Sequence, residues 1–300
     1  MSDFRYTLTN HLQKQRPNLS LSSLRTYSSV LFNLHTKHMK QNHNDIEWFS
    51  NQYQSILDYL NTNTKKSTRK SILSALYVLT NRPEYREQMI ADAKDINEEY
   101  REQKKSQKQR DNWISVQQIK DKYEELYDRV QNIFKKRAIG DISVIMDYLL
   151  VGFLSGVLIP PRRSLDYALL KWRDYDKKID NYYSRGKLYF NRYKTSDTYG
   201  LTVVDVPKDL NTVLKKWLKI NPSAYVLMSS NGNPLSSSQI TRSLNRIFGK
   251  QVSVNMLRHI FLTNYYENMP KLTAMHNIAS KMGHNLTTAL EYAKKDWIPG

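Results

Sequence analysis

The 300-residue chain has no cysteine, which excludes disulfide staples, thiolate nucleophiles and cysteine-held zinc or iron–sulfur sites. It also lacks a run that reads as a membrane span. The most apolar stretch, from Ile142 to Ile159, carries Asp147 and two glycines, and its flanks are globular, so a buried core helix is expected there. The opening segment MSDFRYTLTNHLQKQRP has no apolar centre, so no secretory signal is expected. No internal repeat of fixed period is visible. No compact Asp/Glu/His cluster stands out, so neither a metal nor a cofactor is expected and a metal-dependent nuclease is disfavoured. Acidic residues are scarce: 28 Asp and Glu face 46 Lys and Arg, a formal charge of +18. A polyanionic partner is the natural expectation, with solubility or a general basic bias as the bland alternative. Charge alone does not separate DNA from RNA or membrane.

Length favours two compact domains. The first hundred residues read as helices. Leu24, Tyr27, Leu31 and Leu34 recur at helical spacing after a serine-rich start, and Ile72, Leu73, Leu76 and Leu79 form one face of KKSTRKSILSALYVL. Lys65, Lys66, Arg69 and Lys70 crowd the start of that second helix and are the candidate phosphate contacts of this domain. A solvated face accounts for them equally well, because cations there oppose the helix dipole. After Pro83, Met89, Ala93, Ile96 and Tyr100 make a further stripe, which gives way to the polar run KKSQKQRDN. The expected organisation is an all-helical domain over 1–111, with a linker at about 104–111, and a second domain over 112–300.

Ser115 and Gln118 have the spacing of a capping box at the start of a helix bearing Ile119, Tyr123, Leu126 and Val130. The second domain is expected to be mainly α with a small β-sheet. Its hairpin is formed by KLYFNRY and LTVVDVP around KTSDTYG, with Lys194 at the edge of the turn. An amphipathic helix near Leu210 to Leu218, a turn at Asn231-Gly232 and a helix opened by Ser236 and Gln239 follow. The aromatic residues between Trp172 and Tyr193 are expected to pack on the sheet, with base stacking as the alternative.

Four fragments then occur in a fixed order over about 140 residues: PPRRSLDYALLKW, the Lys194 hairpin, VNMLRHIFLTN and MGHNLTTALEYAKK. Together they resemble the catalytic domain of tyrosine recombinases and phage-type integrases, and the N-terminal helices resemble that family's core-binding domain by pattern and position. The resemblance implies that Arg163 is the first catalytic arginine, nine positions before Trp172 and three before Asp166, with Arg162 as its rival. It likewise implies roles for Lys194, for Arg258 in L-R-H, for His284 in G-H, and for Tyr292 as nucleophile. The position three before Arg258 commonly holds histidine and here holds Asn255, which hydrogen-bonds but is no general base near neutral pH. His259 or a water then takes the proton; a quarter turn separates His259 from Arg258, which favours water. The spacing from His284 to Tyr292 is eight residues, one shorter than a frequent family spacing, and eight residues follow Tyr292, so a C-terminal segment exchanged between protomers is expected to be short or absent. Tyr265 and Tyr266 follow Arg258 too closely to compete, and His276 reads as an ordinary helix histidine.

The chemistry suits these residue types. Guanidinium groups of Arg163 and Arg258 meet the charge that builds on nonbridging phosphate oxygens. A tyrosyl oxygen serves as nucleophile and later as leaving group, which conserves the phosphodiester for rejoining without ATP or metal. Lys194 delivers a proton to the departing 5′ oxygen. The implied activity is site-specific cutting and rejoining of double-stranded DNA by a dimer or tetramer on paired sites, inside a cell in nucleus or nucleoid. Abundant Asn, Lys, Tyr and Ile suggest an AT-rich genome, and a virus or other mobile element is the expected source, with integration the expected task. The competing readings are a DNA-binding protein of the same fold with weakened catalysis and a type IB topoisomerase.

Overall fold

A computed structural model describes residues 3–136, 142–267 and 271–281, with side chains of the last segment to 277. The residues divide into two compact units, Met1–Lys104 with Pro270–Gly300, and Lys105–Met269.

In the first unit, α1 (Asp3–Gln15), α2 (Leu21–Asn33), a π-helical turn (Leu34–His38), α3 (Trp48–Asn51), α4 (Tyr53–Asn63), α5 (Lys66–Thr80) and α6 (Pro83–Arg101) surround one core. Helical spacing determines which side chains enter it. Phe4, Leu8 and Leu12 line α1, Leu24 and Leu31 line α2, and Leu73, Leu76 and Leu79 line α5, all buried. Ser20 caps α2 by accepting from the Ser23 amide at 3.1 Å. Asn81 closes α5 in the left-handed conformation, and Pro83 opens α6. The stripe expected on α6 is only partly inward: Tyr100 is 72% exposed, whereas Tyr85 and Asp92 are buried. Helix α15 (Leu272–Lys281) also groups with this unit, its Leu272 amide donating to Gln103 Oε1 at 3.1 Å. The sequence-based boundary places these residues in the second domain instead.

The second unit begins with α7 (Gln107–Asn112) and α8 (Val116–Lys136). Both bonds of the expected Ser115–Gln118 capping box are present, at 2.8 and 3.1 Å. Ile119, Tyr123, Leu126 and Val130 form the buried face of α8. Helix α9 (Ile142–Leu154) is buried along nearly its whole length, as its composition requires. Its acidic residue, Asp147, accepts two bonds from Arg246, at 2.8 and 2.7 Å. A buried carboxylate is therefore tolerated because a planar fork meets it. Among the described residues, no helix is long and apolar enough to cross a membrane.

Beyond α9 come α10 (Ser164–Ala168), β1 (Tyr182–Ser184), β2 (Lys187–Phe190), α11 (Ser196–Tyr199), β3 (Thr202–Asp205), α12 (Lys208–Leu218), α13 (Ser237–Phe248) and α14 (Val254–Tyr265). The strands form an antiparallel sheet in the order β1-β2-β3. β2 and β3 are the expected hairpin; β1 is an additional strand. Alternation along β2 sends Leu188 and Phe190 into the core, while Tyr189 joins Tyr182 and Tyr175 in a stack on the opposite face, with ring centroids 4.5 and 4.4 Å apart. This stack fits the expected packing of the aromatic segment on the sheet. The second unit is thus mainly helical with a small β-sheet.

Candidate nucleic-acid interface

The two adjacent arginines have different surroundings. Arg162 turns inward: its Nε donates to Asp166 Oδ2 at 3.0 Å, and its guanidinium lies 4.3 Å from the Phe190 ring centroid and 4.6 Å from that of Tyr193. Asp166 is buried, and burial raises its carboxyl above the ordinary carboxylate range against the lowering effect of Arg162. Arg163 occupies the N-cap position of α10 in extended conformation, and its carbonyl accepts from the Asp166 amide at 3.1 Å. Its side chain is half-buried and has no ion pair among the described residues. Successive side chains of an extended segment point to opposite sides, which separates Arg163 from Arg162. Arg162 is thus held against the sheet, whereas Arg163 makes no ion pair among the described residues.

The hairpin is joined to the same place. Tyr193, against which Arg162 lies, donates its hydroxyl to the Gly200 carbonyl at 2.7 Å and stands 3.1 Å from Thr202 Oγ1. Lys194 follows it and is exposed. Buried Asn181 fastens α10 to the hairpin base, donating to the carbonyls of Asp166 at 3.0 Å and Arg192 at 2.9 Å, while its Oδ1 accepts from the Arg192 amide at 2.8 Å. The positions of Arg163 and Lys194, 31 apart in sequence, are therefore linked through Arg162, Tyr193 and Asn181. None of these three linkers stands out in the sequence, where Arg162 figures only as a rival for the catalytic role.

Arg258 arrives on α14, whose N-terminus is capped by Ser253 accepting from the Met256 amide at 3.2 Å. Leu257 and Ile260 are buried, and Arg258 is half-buried. One turn later, Phe261 lies against Gly156: a Cβ at Gly156 would stand 2.5 Å from Phe261 Cδ2, and its φ is +86°. Glycine at this position lets α14 approach the loop that leads to Arg162 and Arg163. Asn255 is exposed, and its Nδ2 lies 3.3 Å from His259 Nε2. The i,i+4 spacing brings the histidine back to Asn255 even though it diverges from Arg258. His284 and Tyr292 lie outside the described residues.

The cationic start of α5 is corrected by the structure at Arg69. Its guanidinium is buried, donating to Asp92 at 2.7 and 2.5 Å, out of reach of a phosphate. Lys66 pairs with Asp95 at 2.7 Å but is partly exposed. Lys65 and Lys70 make no ion pair among the described residues. Among the described residues there is also no group of three or more His, Asp or Glu side chains that could hold a metal ion. An open depression of about 710 Å³ in the second unit is lined by Phe134, Lys135, Lys216 and Lys219 and by none of the candidate residues.

Comparison with known proteins gives one family match: residues 162–296 match the phage integrase family. No curated protein matches the chain significantly. Solved structures with low overall similarity include XerA recombinase, at 14% identity over 98% of this chain and 94% of that one, with a TM-score of 0.34. Lambda integrase (residues 75–356) bound to DNA aligns at 14% identity over 88% of this chain and 87% of that one, with a TM-score of 0.47. A dimer of the same lambda integrase fragment bound to a COC′ core site aligns at 15% identity over 98% and 99%, with a TM-score of 0.48.

Proposed function

We propose that this protein is a site-specific DNA recombinase of the tyrosine recombinase family, acting through a 3′-phosphotyrosine intermediate, a reading supported by the match of residues 162–296 to the phage integrase family. The observation that carries this reading is the linkage of the Arg163 segment to the Lys194 hairpin through Arg162, Tyr193 and Asn181. Residues 1–111 serve as the DNA-clamping domain and 112–300 as the catalytic domain. Double-stranded DNA is the partner, engaged by a dimer or tetramer on paired sites inside a cell, in nucleus or nucleoid. Integration of a viral or other mobile element is the task.

In the first step the Tyr292 hydroxyl oxygen attacks the scissile phosphorus, the bond to the 5′ oxygen breaks, and Lys194 protonates that oxygen as it leaves. Arg163, Arg258 and His284 stabilise the charge on the nonbridging oxygens. Asn255, bonded to His259, orients the phosphate or the tyrosyl hydroxyl, and water takes the tyrosyl proton. In the second step a 5′ hydroxyl displaces the tyrosyl oxygen and restores a phosphodiester. Lys65, Lys66 and Lys70 hold DNA backbone in the first domain.

The test uses a pool of randomised duplexes nicked beside the cleavage position, so that the small 5′ fragment diffuses away and the covalent complex is trapped. Protein should remain attached to DNA after denaturation, in EDTA as well as in buffer. Tyr292→Phe should abolish the adduct, and Arg163→Ala or Arg258→Ala should slow its formation by roughly a hundredfold or more. Binding without an adduct would support a catalytically weakened DNA-binding protein. Relaxation of plasmids independent of site would support a topoisomerase.

A further inference from the structure

The hairpin presents apolar side chains that nothing within the described protein covers. Tyr199, at the end of α11, is 73% exposed, Leu201 is 54% exposed and Val203 is 44% exposed. Leu201 and Val203 are two positions apart on an extended segment and so share the outer face of the sheet. Val203 is in register with Tyr189, and Tyr189 with Tyr182, so the apolar line continues across the strands into the tyrosine stack. Exposed apolar residues are common singly; an aligned series at the tip of a hairpin is not.

The tip is also held in place. Gly200 turns the chain at φ +62°, its amide donating to the Ser196 carbonyl at 2.7 Å and its carbonyl accepting from Tyr193. Tyr193 is in turn fixed against Arg162. Tyr199 is therefore projected from a tethered turn on the same hairpin as Lys194. Arg192 and Lys194 are exposed at this end, and Asp197 is the acidic residue there, in the first turn of α11 where the amides of a helix start favour it.

We propose that Tyr199, supported by Leu201, contacts duplex DNA as an aromatic wedge against sugar edges and bases beside the phosphate served by Lys194. The partner is identified by its chemistry. A basic hairpin end bearing one large apolar ring suits a groove whose rims are phosphates and whose floor is stacked base, and apolar side chains are used in this way to grip or open a base step. Tyr199 is a positioning and DNA-binding residue with no part in bond exchange. The inference rests on the recombinase reading, because it takes the hairpin to face DNA.

The full chain carrying Tyr199→Ala, Tyr199→Trp or Lys194→Ala should be titrated with a 30-base-pair duplex of mixed sequence over a series of salt concentrations. Tyr199→Ala should weaken binding by about tenfold with an unchanged salt slope, since it removes stacking and no phosphate contact. Tyr199→Trp should restore binding to within about twofold of the parent. Lys194→Ala should instead reduce the salt slope by about one. Tyr199→Ala binding within twofold of the parent would overturn the proposal, as would a loss of self-association in sedimentation with DNA affinity intact, which would make the tip a contact between copies. If the parent forms no covalent adduct in the nicked-duplex test while Tyr199→Ala still weakens binding, the cleavage reading fails and the DNA contact stands.

Discussion

Arg69 holds Asp92 by two side-chain hydrogen bonds of 2.7 and 2.5 Å, tying α5 to α6 inside the first unit. Gln88 adds a third bond to the same carboxylate, at 3.2 Å. An arginine at the start of a helix that also carries Lys66 and Lys70, with Lys65 at its N-cap, invites a phosphate-binding role, and its geometry gives it a structural one.

Removing one partner of this pair strands the other. Arg69→Met leaves the Asp92 carboxylate buried without its counter-charge and should lower the stability of the unit by about 3–5 kcal/mol, read as a shift in the urea midpoint. The double replacement Arg69→Met with Asp92→Leu should recover much of that loss. Because Arg69 reaches no phosphate, the salt slope of DNA binding in the double variant should match the parent; a slope lower by about one would return Arg69 to the DNA-contacting set.

Asn181 should be sensitive in a different way. Asn181→Leu leaves the carbonyls of Asp166 and Arg192 and the Arg192 amide without the side chain that pairs them, at a cost of about 2–4 kcal/mol. The substitution should also slow adduct formation on nicked DNA, since the Arg163 segment and the Lys194 hairpin lose their shared tether. Thermal melting and adduct kinetics measured on the same sample check both effects. A protein that melts lower but forms adduct at the parental rate would show that Asn181 supports the fold alone.

The first unit should lose stability in mild acid because of His35. This histidine is fully buried among Phe4, Trp48 and Phe49, its two ring nitrogens have no hydrogen-bond partner among the described residues, and burial lowers its pKa to about 4. His43 faces it and lowers it further, while Asp45 acts in the opposite sense. With an unfolded value near 6.5, the unfolded chain binds the proton first as pH falls. Stability contributed by neutral His35 is complete above about pH 6.5, declines as the pH drops towards 4, and changes no further below that. The total is about 3 kcal/mol. Denaturant midpoints between pH 7 and 4 should show this fall, and His35→Phe should flatten it; an equally steep fall in the variant would assign the effect to other groups.

Much of the scaffold was legible because it rests on local rules. The capping boxes at Ser115 and Ser236, the inward face of α8 and the β2–β3 hairpin each follow from residues within a few positions of one another. What periodicity misses is pairing across the chain. Asp147 in an apolar helix signals a partner, but nothing local identifies Arg246 as that partner, 99 residues away. Asp92 similarly claims Arg69 from 23 residues away, and the π-helical turn at Leu34–His38 sits within a pattern that reads as ordinary helix. Strand β1 is three residues long, too short for alternation to show. The order of candidate residues in the second domain was readable, but the inward setting of Arg162 was not, since it depends on where Phe190 and Tyr193 place their rings.

The hydroxyl of Tyr193 also closes the end of the hairpin. With its oxygen bonded to Gly200 and its ring against Arg162, Tyr193 closes the short segment between these two anchors into a loop fastened at both ends. Lys194 stands at one end of that loop and Tyr199 near the other. Removing that hydroxyl, as in Tyr193→Phe, would release the Gly200 end of the loop and leave the ring contact with Arg162 in place.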